Sequence, residues 1–512
     1  MFARVFSAAV QGIDAYVVEV ETDLDFKLPA FKIVGLAEGA VVESRERVSS
    51  AIKNADHYFP QKRVTINLAP ADKRKEGAAF DLPAAVGILA ADGVIPQEPL
   101  ERFVMVGELS LDGVVRPVPG VLPIALMVRE AGFDRMIVPS ENAGEAALVK
   151  GVEVYPVKSL TEVIEFLSGR QVIAPHRISD PLALTPVHPD DIDFSDVRGQ
   201  AQVKRALEVA VAGGHNILMI GPPGSGKTMM ARRIPTIFPA MTMEEAIETT
   251  KIHSVAGILK NGKYLVTNRP FRAPHHTTTE VALVGGGSSP NPGEVSMAHN
   301  GVLFIDEMPE LGRSTIEALR QPLEDGIVSI SRALYSVTYP ANFMLVAAMN
   351  PCPCGFLTDP MRECTCPPGA IQRYFARISG PILDRIDIHV EVPAVRYRDL
   401  AESGSAQETS ATIHTRVNRA RTVQRDRYRD AKGIYANAQL GSRALRQFCS
   451  LDGDGERMLR RAIDSFGFSA RAYHRILKVA RTIADLDGEA FIAARHVAEA
   501  IQYRTLDRNL RM

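Results

Sequence analysis

The octapeptide GPPGSGKT, Gly221 to Thr228, decides how the rest of the chain is read. It follows the apolar run NILMI and precedes MMARRIP, which has helical character. A strand, a glycine-rich loop and a helix in that order form a cradle for phosphate. Gly221, Gly224 and Gly226 let backbone N–H groups turn inward, with Pro222, Pro223 and Ser225 between them. Lys227 would set a positive charge against the β- and γ-phosphates, and the Thr228 hydroxyl would ligate Mg2+. A chance glycine-rich turn is the plain alternative, and the matched flanks argue against it. ATP and Mg2+ are therefore the expected cofactors.

A phosphate loop needs a metal carboxylate on a neighbouring strand. GVLFIDE supplies Asp306 for the Mg2+ water shell and Glu307 to orient and polarise the attacking water. NFMLVAAMN reads as a third strand, and its terminal Asn350 can position the same water. SGPILDRIDIHVEV puts Arg385 just before a strand, and SARAYHRILKVARTIADL puts Arg471 near a helix start. Such arginines stabilise charge on a transferred phosphoryl group, often from a neighbouring subunit. An ion pair or a helix-end charge is the plain reading of each. Arg377 is a rival for the finger role.

The chain has 512 residues, enough for about three domains. With 46% hydrophobic and 23% charged residues, it has no signature of disorder, coiled coil or collagen-like repeat. A net charge of −1 argues against non-specific coating of nucleic acid but allows a local basic channel. No apolar run approaches the roughly 20 residues needed to span a bilayer, and MFARVFSAAVQGID makes a poor signal peptide. A soluble cytoplasmic protein with no membrane partner is expected.

The expected class is α/β. Residues 1–170 alternate strand-like runs (YVVEVETDL, RVTINLAP) with helical ones (DLPAAVGILAADG, VLPIALMVREAG). Residues 171–191 are proline-rich and read as a linker. Residues 192–393 contain short apolar runs that end in polar residues, the pattern of buried parallel strands with function at their C-terminal ends. Residues 394–512 have helical periodicity and almost no strand character.

The ordered motifs resemble those of an AAA+ ATPase: Walker A, Walker B, sensor 1, an arginine finger and a helical lid with sensor 2. RPFRAPHHTTTEVALVGGGSSPNPGEVSMAHNGVLFIDEMPEL looks like the magnesium-chelatase-like branch with its helix-2 insertion. VSISRALYSVTYPANFMLVAAMNP looks like the hairpin before sensor 1. Within that branch the whole chain most resembles the YifB/ComM family. The resemblance implies a hexameric ring motor promoting branch migration of DNA during natural transformation. It also implies single-stranded or branched DNA and recombination proteins as partners. Lys227, Thr228, Asp306, Glu307, Asn350, Arg385 and Arg471 inherit the family roles. Candidate pore elements are residues 271–296 and 327–340. His275, His276 and His299 read either as local hydrogen-bonding groups or as DNA-phosphate contacts.

The first block resembles the Lon-type peptidase domain, a ribosomal-S5-like α/β fold, over Gly107–Asn142 and Lys75–Ala85. That domain uses a Ser–Lys dyad. Ala79 and Leu122 stand at the matching positions here, so the resemblance implies a kept fold and lost peptidase chemistry. Ser110 reads as a solvated turn hydroxyl. Lys73, Arg74 and Lys75 form a small basic loop, a solvated turn or a DNA contact. HTRVNRARTVQRDRYRD reads as a helix with a solvated or subunit-facing arginine surface in preference to direct DNA contact.

Four of the five cysteines lie in NPCPCGFLTDPMRECTCPP: Cys352, Cys354, Cys364 and Cys366, spaced C-x-C-x9-C-x-C. Four thiolates suit a closed structural Zn2+ site, against free thiols or a redox pair. The competing functions are a chelatase-type motor subunit, a protein-remodelling unfoldase and a nucleotide-gated scaffold. The intact Asp306–Glu307 pair argues against the last.

Overall fold

The computed structural model describes residues 1–36, 40–178, 192–259, 264–287, 290–332, 335–359, 361–394, 407–431 and 434–506. The expected linker lies outside the described residues from 179 onward, as do residues 395–406 at the start of the expected lid.

The first block is built on one seven-stranded sheet. Its strands are β1 (Phe2–Gln11), β2 (Asp14–Asp25), β3 (Ala30–Val34), β4 (Arg63–Ala69) and β5 (Phe103–Met105). After the short ribbon β6 (Glu108–Leu109) and β7 (Val115–Arg116) come β8 (Arg135–Pro139) and β9 (Glu153–Val157). The sheet order is β3-β4-β2-β1-β5-β8-β9. β1 and β2 form a long hairpin from Phe2↔Asp23 to Gln11↔Asp14. Gly12 turns it at φ +66°, where glycine has no Cβ penalty. β4 alternates buried and half-buried residues, as a strand with one covered face should. The helix Asp81–Ala91 is buried along its whole length beneath the sheet.

The second block holds a five-stranded, all-parallel sheet. Its strands are β10 (Ile217–Ile220), β11 (Phe271–Arg272), β14 (Val302–Ile305), β17 (Met344–Met349) and β18 (Ile388–Glu391). The order is β11-β14-β17-β10-β18. Two ribbons interrupt it: β12 (Gly285–Gly286) with β13 (Asn291–Pro292), and β15 (Ile327–Arg332) with β16 (Tyr335–Pro340). β10, β14 and β17 are buried at every residue, because layers cover both faces of the sheet.

The last block is helical: Ser410–Arg427, Ser442–Phe448, Gly453–Phe466, Ala470–Asp487 and Ala494–Gln502. Local chemistry sets its ends. Ser469 caps one helix by accepting from the Ala472 N–H at 3.3 Å, and Gly488 ends it at φ +77°. One apolar cluster joins these helices to the parallel sheet, through residues such as Val346, Ile388, Ile476 and Ile483.

A buried ion pair fastens sheet to helices. Asp387, next to β18, is 4% exposed, binds His215 at 3.0 Å and pairs with Arg475 of the helix Ala470–Asp487. Burial alone would raise its pKa, but Arg475 and His215 hold it well below the usual carboxylate range. Asp387→Asn would leave Arg475 facing a neutral amide and should destabilise the chain by about 3–5 kcal/mol, read from denaturant unfolding.

Three surface readings change. Lys75 is fully buried, donating to the carbonyl oxygens of Pro70 and of Lys73 (2.8 Å to the latter), so it is not part of a solvated turn. Ser110 is 8% exposed and is bonded across its turn to Val114. The arginines of Ser410–Arg427 largely bind the chain itself: Arg416 pairs with Glu208 and Glu408, Arg419 donates to Leu486 O, and Arg427 pairs with Asp485. Helical spacing shows which side chains share a surface but not what that surface meets.

The two blocks meet through the helix Met243–Val255. Its C-terminal end lies against the helix Val121–Glu130, where the Gly120 N–H donates to Ser254 O at 3.1 Å. Glu145 is 5% exposed at this seam. It accepts from the Leu122 N–H at 2.8 Å and binds Asn142 and the Ser254 hydroxyl. Ala79 and Leu122 belong to one apolar cluster there, joined by Ala246 and Leu265 of the second block. The other side of the same helix reaches the strand that leads to Asp306: Glu248 meets His299 at 3.1 Å, and Thr249 accepts from Asn300 at 3.3 Å.

Candidate functional site

Every group expected at the nucleotide site except the two arginines stands at the C-terminal end of β10, β14 or β17. β10 lies between β17 and β18, so its loop opens inside the sheet, beside the end of the central strand β17. Gly224 and Gly226 have φ +76° and +91°. A Cβ on Gly221 would stand 2.1 Å from Val392 O, so that position also requires glycine.

The side chains converge. Lys227 Nζ lies 2.6 Å from Gly221 O, 3.0 Å from Pro222 O and 3.3 Å from Asn350 Oδ1. Burial lowers its pKa, while Asp306 and Glu307 pull it back up. The Thr228 hydroxyl donates to Asp306 Oδ2 at 2.7 Å, which sets two hard oxygen ligands side by side. Glu307 sits in the left-handed region at φ +49°, and its N–H donates to Asp306 Oδ1 at 3.0 Å. A non-glycine residue held there is strained backbone next to the expected chemistry. Ser225 Oγ is buried with no hydrogen-bond partner within the protein. A loop of inward-turning glycines, a lysine, paired hydroxyl and carboxylate oxygens and an unmatched hydroxyl fit a Mg2+–nucleotide.

The arginines lie elsewhere. Arg385 is 6% exposed, donates to Pro381 O at 2.7 Å and pairs with Glu324 of the same chain. Burial lowers its pKa, and the charges of Arg320, Arg471 and Arg475 push it the same way, while Glu317 opposes them. Arg471 itself is exposed. Arg377 pairs with Glu310 at 2.7 Å. A finger role asks Arg385 to exchange Glu324 for an incoming phosphate.

Of the three histidines, His299 is buried and bonded to Glu248 and to the Asn342 N–H, the local reading. His275 binds Thr277 at 2.9 Å on the surface. His276 is exposed, and its Nδ1 lies 3.6 Å from Glu307 Oε2, a contact that the local sequence did not point to. Gln200 was not foreseen. It donates to Ser225 O at 3.0 Å and Pro393 O at 2.8 Å, tying the phosphate loop to the end of β18. Only its place after Gly199, before a helix, could have marked it.

Three family models cover most of the chain. "Magnesium chelatase, subunit ChlI" matches residues 193–400, "Subunit ChlI of Mg-chelatase" residues 20–142, and "Magnesium chelatase, subunit ChlI C-terminal" residues 407–504. The competence protein ComM of Haemophilus influenzae is 44% identical, over 99% of this chain and 98% of its own. The chain belongs to the ComM/YifB family. YifB of Escherichia coli K12 is 43% identical over 99% of this chain and 97% of its own. Lon protease 2 of Bacillus subtilis is 32% identical over 27% of each chain, in keeping with a Lon-like first block in the ComM/YifB fold. The second block is the AAA+ core of the magnesium-chelatase-like group. No helix among the described residues is long and apolar enough to cross a membrane.

Proposed function

We propose that this ComM/YifB-family chain is an ATP-hydrolysing ring motor that moves on single-stranded or branched DNA and promotes recombination of incoming DNA. The observation that carries hydrolysis is the pairing of Thr228 with Asp306 beside Lys227 and Glu307. In this reading ATP and Mg2+ bind at the ends of the parallel strands. Glu307 takes a proton from the attacking water, and Asn350 holds that water against the γ-phosphate. Arg385 and Arg471 would stabilise the transferred phosphoryl group from the adjacent copy of a hexamer. The DNA part rests on full-length likeness to a competence protein. Cytoplasmic recombination proteins are the natural partners of such a motor.

The test is ATP-dependent migration of a synthetic three- or four-way DNA junction at two salt concentrations. Migration should depend on ATP and weaken at the higher salt, because phosphate contacts dominate such binding. Hydrolysis that neither moves a junction nor responds to DNA would overturn the DNA reading. The three matches to chelatase subunit models favour a chelatase-type motor as the second reading. It predicts stimulation by a porphyrin-binding partner instead of by DNA.

Arg385→Ala should cut turnover about 10³-fold while leaving ATP binding to the isolated chain intact. A comparison of steady-state phosphate release with equilibrium nucleotide binding checks this.

A further inference from the structure

Gly355 sits inside the cysteine loop at φ +87°, and a Cβ there would stand 2.6 Å from Pro223 Cδ of the phosphate loop. The cysteine loop therefore packs directly on the loop that carries Lys227. Its other end is equally close to the chemistry. Only Pro351 separates Cys352 from Asn350, whose Oδ1 accepts from Lys227.

The four sulfurs lie within 4.8 Å of one another. Cys352 is 3.3 Å from Cys354 and 3.6 Å from Cys364, and Cys354 is 3.6 Å from Cys364. Tetrahedral Zn–S bonds of about 2.3 Å place sulfurs about 3.8 Å apart, so the four already frame a site of that size. The Cys354 N–H donates to Cys366 Sγ at 3.3 Å, and the Cys366 N–H to Cys364 Sγ at 3.5 Å, which steadies thiolate charge. Apolar packing holds only the start of the loop: Cys352 and Gly355 are buried, whereas Leu357 and Met361 are exposed. Four thiolates fill every position of a tetrahedral ion, so the site is structural.

We propose that Cys352, Cys354, Cys364 and Cys366 hold one Zn2+ and that this metal braces the phosphate loop, through Gly355 on Pro223 and through Asn350. The bracing rests on the nucleotide-site reading, whereas the metal does not. With the ion bound, its binding free energy adds order to the outer part of the loop, which has little apolar packing of its own. The loop then supports Pro223 from outside as the nucleotide supports it from inside.

The test uses the full-length chain, purified without chelator. Elemental analysis should give about one zinc per chain in the wild type and in Cys449→Ala, and almost none in Cys354→Ser/Cys364→Ser. In the double variant kcat/KM for ATP should fall on the order of 100-fold, mostly through KM. Gly355→Ala guards against simple unfolding: it keeps all four thiols and should keep the zinc while raising KM. A wild-type chain with four free thiols, or with iron in place of zinc, overturns the metal assignment. Zinc lost with KM unchanged, or Gly355→Ala with KM unchanged, overturns the brace. Zinc present in a wild type that does not hydrolyse ATP leaves the metal standing and sinks the nucleotide reading.

Discussion

Lys227→Ala should reduce ATP turnover by at least about 10³-fold, at the upper end of what losing one charge-stabilising donor costs. It should weaken nucleotide binding as well. Lys227 is 8% exposed, and its ammonium lies within hydrogen-bond reach of two loop carbonyls and the Asn350 amide oxygen, so it both shapes the loop and supplies charge. Truncation removes the only lysine of that loop. Calorimetric titration with a non-hydrolysable ATP analogue, beside a phosphate-release assay, separates the two losses. Full turnover by the variant would remove the loop from the reaction.

Glu307→Gln is expected to do something different. Glutamine keeps the shape and the left-handed backbone but cannot take a proton. Turnover should fall about 10²–10⁴-fold, the range for a lost general base, while ATP still binds through Lys227, Thr228 and Asp306. The variant should accumulate as a stable ATP-bound species, visible as nucleotide retained through gel filtration. Equal loss of binding in both variants would mean that Glu307 shapes the pocket and does not act on water.

Much of this site was legible because its groups lie at strand ends, where short apolar runs break into polar residues. NILMI, GVLFIDE and NFMLVAAMN became β10, β14 and β17, each delivering its last residues to one edge of the sheet. Contacts between distant segments were not legible. Nothing local to His276 says that it reaches Glu307, and nothing local to Glu324 says that it pairs with Arg385. Burial was misjudged for the same reason. Lys75 sits in DKRKEG, a stretch that looks solvated, and is fully covered by the fold. The arginines after residue 415 follow helical spacing, but Arg416 and Arg427 find their carboxylates in Glu208, Glu408 and Asp485, one of them more than 200 positions away.

The seam around Glu145 bears on whether a Ser–Lys pair could be built into the Lon-like block. Ala79→Ser and Leu122→Lys would put the two residue types of such a pair into the chain. Position 122 is fully buried, however, and its backbone N–H is already held by a buried carboxylate. An ammonium introduced there would pair with Glu145 and stay protonated, so it could not act as a base. The end of the helix Met243–Val255 also packs here, with the Ser254 carbonyl oxygen accepting from the Gly120 N–H and its hydroxyl bonded to Glu145. Two substitutions alone would therefore not make a peptidase, because the surroundings of position 122 are already taken up by contacts between the two blocks.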